Sequence, residues 1–211
     1  MKRTRILLAD DHAMICAGLA RLLEPYYEVV GSVEDGHALL KTSNALKPDV
    51  VVLDIGMPLL NGLDAARELK KRMPQIKLVF FTMEADSYIA AEAYRAGASA
   101  YLLKTSRPAE ILKAVHDAVS GVSYVTPQIG RAIENIFIRD PRAEAPKPLT
   151  GRQREVLQML AEGRSMKEIA YVLEIAHRTV RFHKYQIMEE LGLTTNSDLV
   201  KYAMKHRMIS T

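Results

Sequence analysis

The chain has 211 residues, 48% of them hydrophobic, a single cysteine and a formal net charge of +4. That length suits two small domains, and the apolar fraction excludes wholesale disorder. Cys16 alone excludes an intrachain disulfide framework, and no apolar run is long enough to span a bilayer, so a soluble cytoplasmic protein with no membrane partner is expected. The charge is unevenly placed: residues 1–125 carry 15 Lys+Arg against 15 Asp+Glu, and residues 126–211 carry 14 against 10. The basic excess of the C-terminal part points to an anionic partner, nucleic acid being the commonest.

Taken in order, strand-like and helix-like patterns alternate. Ile6 to Ala9 is a short apolar run that ends in two acids, Asp10 and Asp11. A helical pattern follows over 13–23, a strand over 27–33 and a helix over 38–46. Val50-Val51-Val52-Leu53 then lies between Pro48-Asp49 and Gly56-Met57-Pro58. It has no polar alternation, so it reads as a strand buried on both faces. Beyond Asn61-Gly62 come a helix over 63–72, a strand over 76–82, a helix over 87–96, a strand over 100–103 and a helix from Pro108 to about Ser120. Strict alternation means βαβ units and a parallel sheet covered on both faces.

In an open α/β sheet, ligands gather at the carboxyl ends of the strands. Asp10, Asp11 and Asp54 all stand at such ends, and three carboxylates on one partly dry rim call for a cation. Oxygen ligands with no competing cysteine or histidine cluster favour magnesium. Thr82 closes the fourth strand and Lys104 follows the fifth on the same rim. A hydroxyl and an ammonium beside a metal-bound carboxylate suit a phosphoryl group on Asp54. Taken alone, Asp54 reads equally well as the start of a turn, and Lys104 reads better as a surface lysine. The five positions together favour the site.

Through Asp10-Asp11, Asp54 followed by Met57-Pro58 and Gly62, Thr82, Tyr101 and Lys104, residues 1 to about 120 resemble a response-regulator receiver domain. The resemblance implies an α/β flavodoxin-like (βα)5 fold, with Asp54 accepting a phosphoryl group from a cognate histidine kinase or a small phosphodonor. It implies a magnesium site made by Asp11, Asp54 and the Gly56 carbonyl, with Asp10 helping through water. Thr82 and Tyr101 would be the switch pair, Thr82 drawn inward on phosphorylation and Tyr101 rotating into the vacated space.

Thr126 to Ile138 has a helical apolar rhythm, and 139–148, with Pro141, Pro146 and Pro148, reads as a linker. From Leu149 only short helices are expected. Thr150 with Gln153 and Ser165 with Glu168 match capping boxes, so helices begin there, and Gly163 stops the first. A third runs from about Ala176 to Leu191, ended by Gly192, and a fourth from about Thr195 to His206. The second and third, joined by Leu173-Glu174-Ile175, form a helix-turn-helix. On the third helix Ala176, Val180, His183, Ile187 and Leu191 share one stripe, and Arg178, Arg181, Phe182, Tyr185 and Glu189 the opposite one. Exposed charges are usual on a solvated face, whereas exposed rings indicate a contact surface. In a major groove Arg181 or Arg178 would read guanine, and Phe182 would touch a thymine methyl.

This part resembles the LuxR-type helix-turn-helix, a small all-α domain, through Leu149-Thr150, Arg154-Glu155-Val156-Leu157, Gly163, Lys167-Glu168-Ile169-Ala170, Thr179-Val180-Arg181, His183, Ile187, Leu191 and Asp198 to Ala203. The chain therefore resembles response regulators of the NarL/FixJ class. The resemblance implies a phosphorylation-dependent transcriptional regulator, homodimeric when active. Lys167, Arg178, Thr179, Arg181, Phe182, Lys184 and Tyr185 would meet double-stranded DNA. Expected boundaries are a receiver over 1–121, a connecting helix and linker over 122–148 and a DNA-binding domain over 149–211. Three positions depart from the family pattern: Ala176 replaces a usual serine, Tyr185 a common basic residue and Glu190 a common lysine. Two other readings compete. One is a phosphatase or phosphotransferase using Asp54 as nucleophile on an external substrate; the other is an adaptor whose Phe182 and Tyr185 face meets protein.

Overall fold

Short apolar runs pair side by side in the computed structural model, which describes residues 3–130, 149–206 and 208–209 and forms two compact units. In the first, strands β1 (Arg5–Ala9), β2 (Glu28–Val33), β3 (Val50–Leu53), β4 (Lys77–Thr82), β5 (Ala100–Leu103) and β6 (Tyr124–Val125) alternate with helices α1 (Ala13–Leu23), α2 (Gly36–Leu46), α3 (Gly62–Arg72), α4 (Ser87–Arg95) and α5 (Pro108–Val119). All six strands are parallel, in the order β2-β1-β3-β4-β5-β6. The expected five-stranded flavodoxin-like sheet is thus present with one addition. At two residues, β6 is too short to show an alternation in sequence, and its pairing of Ala100 with Tyr124 and Tyr101 with Val125 arises only in three dimensions.

Every residue of β3 and β5 is buried, as a central parallel strand requires. Because side chains alternate along a strand, Ile6, Leu8, Val50, Val52, Val79 and Phe81 face one side, where Cys16, Leu19 and Leu23 of α1 and Ile111, Ala114 and Val115 of α5 close the core. Leu7, Val51, Leu53, Leu78, Phe80 and Tyr101 alternate to the other side, and α2, α3 and α4 supply buried Leu39, Ala65, Leu69 and Ala90. Caps set the helix starts: Asp35 accepts from the Ala38 N–H at 2.8 Å, Asn61 from Asp64 at 3.0 Å and Asp86 from Tyr88 at 2.7 Å. The strand order reverses between β1 and β3, so loops leaving their carboxyl ends diverge and open a crevice there.

The second unit contains α6 (Gly151–Ala161), α7 (Met166–Val172), α8 (His177–Leu191) and α9 (Asn196–Lys205). The capping boxes expected at Thr150 and Ser165 are both formed, and a third joins Thr195 to Asp198. Gly163 (φ 82°) and Gly192 (φ 64°) follow α6 and α8 in left-handed conformation. Val156, Leu157, Ile169, Val180, Ile187, Leu199 and Ala203 form the core. Between α7 and α8 the chain turns through Glu174, a non-glycine residue at φ 52°, and the Ile175 N–H donates to the Ala170 carbonyl at 3.0 Å. Of the expected apolar stripe on α8, Val180 and Ile187 are fully buried. Ala176 is exposed instead, because it precedes the helix as an extended N-cap. Positions 131–148, which carry most of the expected connecting helix and all of the linker, lie outside the described residues. Among the described residues, no helix is long and apolar enough to cross a membrane.

Candidate functional site

The crevice at the carboxyl rim is built by backbone hydrogen bonding between β1, β3, β4 and β5. The Asp54 N–H donates to the Ala9 carbonyl at 2.8 Å, which sets Asp54 beside Asp10, and the Lys104 N–H donates to the Thr82 carbonyl at 2.7 Å. Asp10 and Asp54 are buried, whereas Asp11 is exposed. The Lys104 ammonium reaches both buried acids, 2.7 Å from Asp10 Oδ2 and 3.0 Å from Asp54 Oδ2. Burial lowers the Lys104 pKa, but hydrogen bonds and charge from Asp10 and Asp54 outweigh it, and the net shift is upward. Asp54 Oδ1 accepts from the Ile55 N–H at 2.7 Å, which fixes its rotamer.

Three carboxylates against one ammonium leave the rim negative. Ligand atoms of Asp10, Asp11, His12 and Asp54 all lie within 4.8 Å of one another, a grouping able to hold a metal ion. His12 was not singled out by the sequence reading. Its Nδ1 stands 2.8 Å from Asp11 Oδ1 and 3.1 Å from Asp10 Oδ1, and its adjacency to the acid pair was the available signal. Gly56 lies in the loop leaving β3. Gly62, where α3 begins, explains its own small size: a Cβ there would fall 2.0 Å from the Asp54 carbonyl oxygen. Only hydrogen allows the helix start to pack so tightly on the backbone that carries Asp54.

Thr82 is buried at the end of β4, and its Oγ1 accepts from the Glu84 N–H at 3.3 Å. Tyr101 is fully buried, stacked on Phe80 with ring centroids 6.2 Å apart, and its hydroxyl donates to the Glu84 carbonyl at 2.8 Å. The ring thus occupies the inward position. Burial, reinforced by the charges of Glu84 and Asp54, raises the Tyr101 pKa far above the ordinary phenol value, so the hydroxyl remains a donor at any physiological pH. Thr82 and Tyr101 are therefore both tied to Glu84, in the segment 83–86 that joins β4 to α4.

In the helical unit, the outer face of α8 presents Arg178, Arg181, Phe182 and Tyr185 to solvent, with Thr179 and Lys184 partly exposed beside them; Lys167 is exposed on α7. Phe182 and Tyr185 are 58% and 64% exposed. Nearby cations are committed within the fold: Arg152 pairs with Glu155 at 2.7 Å and Arg164 with Glu162 at 3.4 Å. Among the described residues, Arg178, Arg181 and Lys184 have no ion pair. Glu190 turns out to serve the fold, its carboxylate accepting from the buried Gln153 amide at 3.0 Å and tying α8 to α6. At Ala176 the backbone adopts the N-cap conformation with no side-chain hydrogen bond, as a residue lacking a polar side chain requires.

Residues 6–116 match the family model of the response regulator receiver domain, and residues 147–203 match that of bacterial regulatory proteins of the luxR family. The transcriptional regulatory protein MctR of Rhizobium johnstonii is 31% identical over 99% of this chain and 96% of its own length. The response regulator GacA of Pseudomonas aeruginosa is 30% identical over 97% of both chains, and VraR of Staphylococcus epidermidis 32% identical over 97% of this chain and 98% of its own. Among solved structures, the Salmonella typhimurium response regulator RcsB superposes with a TM-score of 0.64 at 25% identity, covering 97% of this chain and 98% of that one. An RcsB–DNA complex superposes with a TM-score of 0.61 at 26% identity, covering 96% and 98%.

Proposed function

The chain belongs to the response regulators that join a receiver domain to a LuxR-type DNA-binding domain, DNA-binding regulators rather than classical enzymes, and from that premise we propose that phosphoryl transfer to Asp54 controls its binding to double-stranded DNA. The observation that carries this reading is the buried Asp10–Lys104–Asp54 group, with Asp11 beside it, at the rim where β1, β3, β4 and β5 end. Asp54 Oδ attacks the phosphorus of a phosphohistidine on a cognate kinase, or of a small acyl phosphate; the bond to the donor breaks as the acyl phosphate forms. Lys104 neutralises phosphoryl oxygens, and the Thr82 hydroxyl donates to one of them. Water later hydrolyses the acyl phosphate, releasing inorganic phosphate and restoring the Asp54 carboxylate.

The carboxylate oxygens fit a hard divalent cation, and Mg2+ is the ion such donors favour where water completes the shell. Asp10, Asp11, Asp54 and the Gly56 carbonyl would hold it, and it would supply the positive charge that the rim and an acyl phosphate both lack. Thr82 and Tyr101 relay occupancy of the site to the β4–α4 segment that their side chains already engage.

The DNA-binding residues of this reading are Lys167, Arg178, Thr179, Arg181, Phe182, Lys184 and Tyr185, supported by the α8 cations, which have no ion pair among the described residues. Binding is as a homodimer, to two half-sites about one helical turn apart. The domains run over 1–121, 122–148 and 149–211, and the protein works in the cytoplasm. Labelling tests the central step: acetyl phosphate with magnesium phosphorylates the parent chain and not Asp54→Ala, and incorporation that survives the substitution refutes the assignment. Footprinting that protects one isolated half-site at every protein concentration refutes the dimer.

A further inference from the structure

The outer face of α8 combines two features: cations with no acidic partner among the described residues and large rings exposed to solvent. Arg178 and Arg181 are exposed and Lys184 partly so, and these three explain attraction to phosphate without any need for a ring. Phe182 and Tyr185 have no such use. They stand outside the buried cluster of Val156, Leu157, Val180 and Ile187, so packing does not account for them. Tyr171 is also exposed, but on α7 rather than α8. Spaced three residues apart, Phe182 and Tyr185 project side by side, about 4.5 Å apart along the helix axis. Successive base pairs are stacked about 3.4 Å apart, so two such rings match groups one or two base pairs apart.

On the floor of the major groove the apolar group is the methyl at C5 of a pyrimidine. We propose that Phe182 and Tyr185 make this helix a reader of pyrimidine C5-methyl groups, so that operator choice rests on apolar contact as well as on arginine–guanine hydrogen bonds. This rests on the reading of α8 as the DNA-contacting helix. Thymine carries the methyl in every duplex, and 5-methylcytosine carries the same group at the same place where cytosine is methylated.

The test uses the full chain and a duplex enriched from a random-sequence library. At each thymine of the enriched motif four duplexes are compared, carrying thymine, uracil, 5-methylcytosine or cytosine at that position. Each methyl contact removed weakens binding about fourfold, the transfer value of one buried methyl-sized group. Phe182→Ala/Tyr185→Ala binds thymine and uracil duplexes alike, whereas Phe182→Leu, which keeps apolar volume, retains part of the difference. A 5-methylcytosine-to-cytosine ratio like the thymine-to-uracil ratio extends the reader to methylated DNA; equal binding of those two confines it to thymine. Equal affinity of the parent chain for thymine and uracil duplexes overturns the proposal, as does a difference that survives the double substitution. Salt-sensitive binding to those same duplexes would leave the DNA-binding reading intact in either case, whereas absence of salt-sensitive binding to any duplex refutes the underlying reading instead.

Discussion

Replacing Gly62 by alanine adds one methyl group at the point where α3 meets the Asp54 backbone. The new Cβ would lie 2.0 Å from the Asp54 carbonyl oxygen and 2.9 Å from its carbonyl carbon. Carbon and oxygen in contact stay about 3.3 Å apart, so the helix start or the Asp54 peptide must retreat by about 1.3 Å. Overpacking of this kind costs about 1–3 kcal/mol of stability. Its effect on chemistry is larger, because a misplacement of about 1 Å at a reacting group slows the step by about a hundredfold. Gly62→Ala is therefore expected to unfold at a lower denaturant midpoint and to take phosphate from acetyl phosphate about two orders of magnitude more slowly. Gly18→Ala is the matched control: Gly18 lies within α1, where an added Cβ would meet nothing within 4 Å beyond its chain neighbours and the helix's own backbone, and alanine there should stabilise by about 0.5–1 kcal/mol without touching the site. Time-resolved labelling and urea melts of the two variants separate the effects. A Gly62→Ala chain that labels at the parent rate would show that the Asp54 backbone tolerates displacement, and the positional argument would be wrong.

Lys104→Ala leaves Asp10 and Asp54 facing one another without their ammonium and is expected to destabilise by about 3–5 kcal/mol, read from urea melts. Magnesium should restore part of that loss, and a midpoint unmoved by magnesium would count against a metal at this rim. Ala176→Ser supplies the missing N-cap acceptor of α8 and should stabilise by about 1 kcal/mol in a thermal melt; no gain would mean that the cap backbone does not admit the bond. Lys184→Ala should flatten the dependence of DNA affinity on salt by about one unit of log–log slope, and an unchanged slope would remove Lys184 from the phosphate contacts.

The local elements and much of the chemistry follow from the order of residues along the chain. Apolar runs of four to six residues ending in Asp10, Asp54, Thr82 and Lys104 marked strands and their reactive ends. Capping boxes at Thr150 and Ser165 set helix starts, and the two faces of α8 followed from its period. These are signals between near neighbours, so they are legible along the chain. Which strand ends meet is set by folding in three dimensions. Pairing β1 between β2 and β3 brings Asp10 beside Asp54, and pairing β4 with β5 brings Thr82 beside Lys104. The same long-range packing brings Glu190 to Gln153, adds β6 at the sheet edge and denies Gly62 a side chain. None of these has a periodic or compositional trace, because each depends on contacts between segments that only folding brings together.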